Sequence, residues 1–80
     1  MALTLKYDPD ADAIYIRLND LPYAFGEDID HERRIDYAEN GEPIGIEILC
    51  ASDGIDTHGL PHEDAVSRLV IEHCFKVFAQ

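Results

Sequence analysis

The sequence predicts an α+β domain in which a small antiparallel sheet, two hairpins in a meander-like arrangement, carries one C-terminal helix on its apolar face. Three observations predict it. Apolar and polar residues alternate with a period of two in several runs between Leu3 and Leu49. Turn-forming residues separate those runs, among them the Asn40-Gly41 pair, a strong short-range hairpin signal. Beyond Pro61 the apolar spacing changes to three and four.

The first hairpin joins Leu3-Thr4-Leu5-Lys6-Tyr7 to Ala13-Ile14-Tyr15-Ile16-Arg17-Leu18 through Asp8-Pro9-Asp10-Ala11-Asp12. Pro9 pre-sets a turn-compatible φ, and the aspartate side chains can accept backbone N–H bonds inside the connection. From Asn19 to Glu32 the pattern breaks, with Pro22 and Gly26 as interruptions, so a long acidic loop with a short strand near Phe25 is expected. Alternation returns over Arg33–Ala38 and, past Asn40-Gly41, over Pro43–Leu49. Successive strand side chains point to opposite sides. One face therefore collects Leu3, Leu5, Tyr7, Ile14, Ile16, Leu18, Ile35, Tyr37, Ile44, Ile46 and Ile48, and it needs a cover.

The final segment is read as that cover. Glu63 and Asp64 suit the first turn of a helix, Pro61 suits its first position, and Ala65, Val66, Leu69, Val70, His73 or Cys74, Val77 and Phe78 recur along one side. The β-branched pair Val70-Ile71 leaves a terminal strand over Leu69–Val77 as the alternative. One domain over 1–80 is expected, with the sheet in 3–50 and the helix in 61–78.

Charge bounds the function. Six basic against seventeen acidic residues give the chain a formal net charge of −11. Nucleic-acid phosphates and anionic membranes would repel it, whereas a basic protein partner would be attracted. No apolar run approaches the ~20 residues that span a bilayer. Chains this short bury only about 60% of their unfolded surface, so pairing with a second copy is expected to help. Without a secretory leader at Met1–Lys6, Cys50 and Cys74 are expected as reduced thiols in a cytoplasmic protein.

The Tyr7-Asp8, Asp12 and Tyr15-Ile16 positions, the Asp36-Tyr37 pair, Gly41 and Gly45-Ile46-Glu47-Ile48-Leu49 together resemble the domain-of-unknown-function family 2283 over residues 3 to 50. The resemblance implies a small antiparallel sheet. About function it implies little beyond a hint of a neutralising role, because some members lie beside small toxin-like proteins. The thirty or so residues after Leu49 depart from that pattern.

Catalytic and metal signatures each meet a plainer reading. Asp8, Asp10 and Asp12 have the spacing that opens a calcium loop, but Ala13 stands where that loop turns on glycine and Asn19 where it needs a bidentate glutamate, so an aspartate-rich turn is the reading. His58, His62, His73, Cys50 and Cys74 include zinc-ligand types without a Cys-x-x-Cys clip. Ser52, Ser67, Thr4, Thr57 and the cysteines lie in no nucleophile elbow, and no phosphate-cradling glycine run exists. No cofactor, metal or catalytic residue is therefore assigned. The polar sheet face is the candidate site: Tyr15, Arg17, Arg34, Asp36 and Glu47 should project from it together with Lys6. Cross-strand ion pairs are the plain account of that face. The sharper one makes it a docking surface, since tyrosine and arginine anchor interfaces. The expected function is a binding or assembly module, homo-oligomeric or joined to a basic protein. The alternatives are an antitoxin-like neutraliser of a small basic toxin and a small metal-dependent hydrolase using His58 and His62.

Overall fold

The computed structural model describes residues 3–78. Five strands, β1 (Thr4–Asp8), β2 (Ala13–Arg17), β3 (Phe25–Asp28), β4 (Arg33–Tyr37) and β5 (Pro43–Leu49), precede one helix, α1 (Glu63–Glu72). The strands form one antiparallel sheet in the order β1-β2-β5-β4-β3. β3, β4 and β5 make a meander and β1–β2 a hairpin. The two units join through β2 and β5, so the chain after β2 crosses to the far edge instead of adding β3 alongside.

The reason for that order lies in the strands. β5 carries Ile44, Ile46 and Ile48, all at most 2% exposed, and fits the centre. β3 is short and reads Phe25-Gly26-Glu27-Asp28, largely exposed, which fits an edge. Gly26 interrupts nothing: it is paired with Asp36 inside β3. At the β4–β5 turn the Gly41 N–H bonds the Ala38 carbonyl at 2.9 Å, and Gly41 sits at φ 87. A β-turn that ends on a left-handed residue is the reason Asn-Gly marks this connection.

The inner face collects Ile14, Ile16, Leu18, Ile46 and Ile48, packed with Ala51, Ile55, Leu60, Val66 and Val70 from the covering segments. Leu3, Leu5, Leu69, Phe75 and Val77 pack around them. α1 covers the β1 side of the sheet through Val66 and Val70, both fully buried. Tyr7 lies at the margin, edge-on to Phe75 with ring centroids 5.0 Å apart.

The helix is shorter than the spacing predicts. It begins at Glu63, after Pro61 and after a His62 cap in the left-handed region, and ends at Glu72 instead of running from 61 to 78. Cys74, at φ 66, reverses the backbone: its N–H bonds the Ile71 carbonyl at 2.9 Å, and the Phe75 N–H bonds that of Val70 at 3.1 Å. This pair of bonds is a Schellman cap, which satisfies the last carbonyls of a helix. His73 and Cys74 are consequently exposed. Past the cap the chain is extended, and Val77 makes a parallel bridge to Ile55. The β-branched character of the tail thus resolves into an end-strand contact of two residues, and the helical spacing of Val77 and Phe78 is coincidental.

Candidate functional site

The outer sheet face is built from two cross-strand rows. Lys6, Tyr15, Glu47, Arg34 and Asp28 form one; Thr4, Arg17, Gly45, Asp36 and Gly26 form the other. All five of the residues singled out from the sequence, Tyr15, Arg17, Arg34, Asp36 and Glu47, therefore stand on one surface, and no described element covers it.

Two glycines shape this surface. Tyr15 lies across β5 over Gly45, where an added Cβ would collide with its hydroxyl. From there the hydroxyl donates to Asp36 Oδ2 at 3.1 Å, two strands away. Burial, and then the negative Asp36, hold the Tyr15 phenol above its ordinary pKa, so it stays a donor throughout the neutral range. Arg34 repeats the device on the other side. Its guanidinium lies over Gly26, where a Cβ would meet it at 2.5 Å. It contacts Asp36 at 3.4 Å and Asp28 at 3.2 Å, and donates to the Tyr23 hydroxyl at 3.4 Å. Arg17 stacks on the Tyr15 ring, 5.9 Å from its centroid. A chain of contacts thus runs Arg17–Tyr15–Asp36–Arg34–Asp28 across the sheet. Glu47, exposed, stands in its middle.

These interactions hold large flat side chains in one orientation before anything binds. An ion pair between strands is present for Arg34 with Asp28, whereas Asp36, the other carboxylate at Arg34, shares β4 with it. Lys6 stands opposite Tyr15, Arg17 between Thr4 and Gly45, and Glu47 between Tyr15 and Arg34.

Two clusters escaped the sequence reading. Arg33 belongs to the inner side, opposite Ile48, with its side chain 10% exposed. It bonds Asp30 Oδ2 at 2.9 Å and the carbonyls of Asp56 and His58 at 3.2 and 2.7 Å, and so pins the 54–60 segment onto the sheet. The signal was available: Arg33 is two residues before Ile35 and shares its face. Asp12, at φ 51, accepts the Tyr7 hydroxyl at 2.9 Å, the Ser52 N–H at 2.9 Å and the Ser52 hydroxyl at 2.6 Å. These bonds, led by the Ser52 hydroxyl, depress its pKa, which makes the carboxylate a poor proton acceptor and the Ser52–Asp12 pair a tether between hairpin and turn.

Asp8 Oδ1 accepts from the Asp10 and Ala11 amides at 3.0 and 3.4 Å, so the aspartate-rich connection is held by its own side chains. His58, His62, Cys50 and Cys74 are not brought together: among the described residues no three His, Cys, Asp or Glu side chains form a group able to hold a metal ion. Both cysteines are free thiols. The Glu32 carboxylate raises the Cys50 thiol pKa. Among the described residues no helix is long and apolar enough to cross a membrane.

No curated protein and no solved structure matches this chain. A family model described as a protein of unknown function, DUF2283, matches residues 4–52, the five strands and the turn that follows them. The match spans more than half of the 80 residues and agrees with the resemblance carried by Tyr7-Asp8, Tyr15-Ile16, Asp36-Tyr37 and Gly45–Leu49, and on it the chain belongs to the DUF2283 family.

Proposed function

We propose that this chain is a protein-binding module that works through the outer face of its sheet. One observation carries the reading: Gly45 and Gly26 leave room for Tyr15 and Arg34 to lie flat on the sheet, fixed by Asp36, with no described strand or helix over them. Side chains ordered in advance lose little conformational entropy on docking, and tyrosine and arginine dominate the energetics of protein interfaces. An exposed sheet face needs no such fixing merely to stay in water.

The chain offers an internal comparison for testing this. Lys6 stands on the outer face and Lys76 on the covering segment, and both are exposed. Brief amine acylation of cells producing the protein, followed by mass spectrometry, should show Lys6 several-fold less modified than Lys76. After purification and high dilution the two should react alike. Equal modification in cells would remove the reading.

A second reading rests on charge. The outer face holds three of the six basic residues (Lys6, Arg17, Arg34) and four of the seventeen acids (Asp8, Asp28, Asp36, Glu47), leaving three bases and thirteen acids on everything else. That remainder suits a basic protein, as an antitoxin-like neutraliser requires. Co-expression with the product of the adjacent gene tests it: no complex and no rescue of growth would dispose of it.

A further inference from the structure

We infer that the partner of the outer face is a second copy of this chain, packed face to face about a two-fold axis that runs along β5. The inference rests on the proposed docking role of that face and adds its occupant and register.

The argument is one of self-complementarity. β5 is the central strand, with β2 and β1 on one side and β4 and β3 on the other. Turning a copy over about the β5 line lays β2 on the partner's β4 and β1 on its β3, and each cross-strand row falls on itself. An isologous interface requires the same patch to complement itself under this operation. Here it does. Arg17 faces Asp36 across the interface, and Lys6 faces Asp28. The backbone of β2 at Tyr15 lies over that of β4 at Arg34, but the two side chains lean away from each other, Tyr15 over Gly45 and Arg34 over Gly26. Each pairing occurs twice, once on either side of the axis. On the axis itself Gly45 meets Gly45, where the low backbone lets the two flat Tyr15 rings approach, and Leu49, 39% exposed, meets Leu49. Two contacts oppose association: Glu47 meets Glu47 on the axis, and Asp8 falls toward the acidic end of the partner's β3.

The opposing signs across the β5 line are not a by-product of composition. A chain with seventeen acids and six bases would be expected to show acid on both sides. Instead the β1–β2 side carries a basic excess, Lys6 and Arg17 against Asp8, and the β3–β4 side an acidic one, Asp28 and Asp36 against Arg34. A basic protein finds its complement on the other surfaces, not on this nearly neutral one.

The size of the face sets the strength. Five strands ~4.8 Å apart and roughly five residues long at ~3.4 Å each project about 400 Å² per copy, about half of what a standard interface buries per partner and in the range of weak, transient contacts. The dimer therefore dissociates on dilution.

Sedimentation equilibrium of the untagged full chain over a concentration series tests this. Wild type should be dimeric at high concentration and monomeric when dilute. Lys6→Glu and Asp28→Lys each place like charges across the interface twice, and each should weaken the dimer about tenfold or more. Both positions are exposed, and circular dichroism should show the fold retained. Because Asp28→Lys also removes the ion pair to Arg34, recovery of association in a mixture, and not the single variant, separates a contact across the interface from a disturbed face. An equimolar mixture of the two variants should regain association: in the heterodimer the carboxylate introduced at position 6 faces the ammonium introduced at position 28, and the native Asp28 faces the native Lys6. Glu47→Gln should tighten the wild-type dimer severalfold. A wild type that is monomeric at every concentration overturns the inference, as does a dimer that both single variants leave unchanged or a mixture that stays dissociated. If the purified protein is monomeric while Lys6 remains protected in cells, the docking role stands and its occupant is another protein.

Discussion

Replacing Gly45 with alanine tests whether the outer face is organised as described. Gly45 lies in β5 between Tyr15 and Asp36, and a methyl group there would collide with the Tyr15 hydroxyl, so the ring must swing away. Its hydrogen bond to the Asp36 carboxylate, 3.1 Å in the native protein, is then lost. A hydrogen bond to a charged acceptor contributes about 1.5–3 kcal/mol, and half exposure places this one near ~1.5. Roughly 40 Å² of ring returned to water adds about 1 kcal/mol. Against this, alanine is favoured over glycine within a strand by ~0.5–1 kcal/mol. The net expectation is a loss of about 2 kcal/mol, read by urea denaturation at a fixed low protein concentration. In a Tyr15→Ala background the obstruction is gone, and the same Gly45→Ala substitution should stabilise by ~0.5–1 kcal/mol. That reversal of sign corresponds to a coupling of roughly 2.5 kcal/mol, within the range for residues in contact. Equal effects in the two backgrounds would show that Tyr15 does not lie over Gly45 and would undo the account of the face.

Arg33→Lys should cost ~2 kcal/mol and lower Tm by about 10 °C in a scanning calorimeter, because an ammonium cannot reproduce the fork that spans Asp30 and the carbonyls of Asp56 and His58. Cys74→Gly should stabilise by ~0.5–1 kcal/mol in urea denaturation, since the left-handed φ of 66 is strained for a side chain and free for glycine. Asp12 has a folded pKa below its ordinary 3.8, so its contribution is complete above that value and disappears as pH falls through the lower folded one; Ser52→Ala should move its carbon-13 carboxyl titration upward. Of the two thiols, exposed Cys74 should react first with a disulfide reagent near pH 8, and Glu32→Gln should speed Cys50, whose thiolate the carboxylate now disfavours.

The strands were legible because a half-buried sheet writes its two faces into alternate positions. Ile14, Ile16, Ile46 and Ile48 face inward and Tyr15, Arg17 and Glu47 outward, as a period of two requires. Strand order was not legible, because pairing β2 with β5 depends on competition among strands far apart in sequence. The helix end was hidden for a different reason. Nothing in the residue type of Cys74 announces a left-handed cap, a position glycine normally marks, and Val77 and Phe78 happened to continue the helical spacing. The candidate face was readable as a set of residues. Its organisation was not, because the functions of Gly45 and Gly26 exist only once Tyr15 and Arg34 are laid over them.

The family model ends at Ser52, whereas Ile55, Leu60, Val66 and Val70, the residues that close the inner face, all lie beyond it. A chain ending at residue 52 would return Ile14, Ile16, Ile46 and Ile48 to water. Fully burying an isoleucine is worth about 2 kcal/mol, so the four together amount to ~8 kcal/mol, comparable with the roughly 5–15 kcal/mol that holds a typical domain folded. Such a fragment must unfold or cover its isoleucines with another copy, and it should bind a hydrophobic dye or sediment as an oligomer that the Lys6→Glu substitution leaves intact, because that association uses the opposite face. A fragment that sediments as a folded, dye-free monomer would mean that residues 53–78 are dispensable to the sheet.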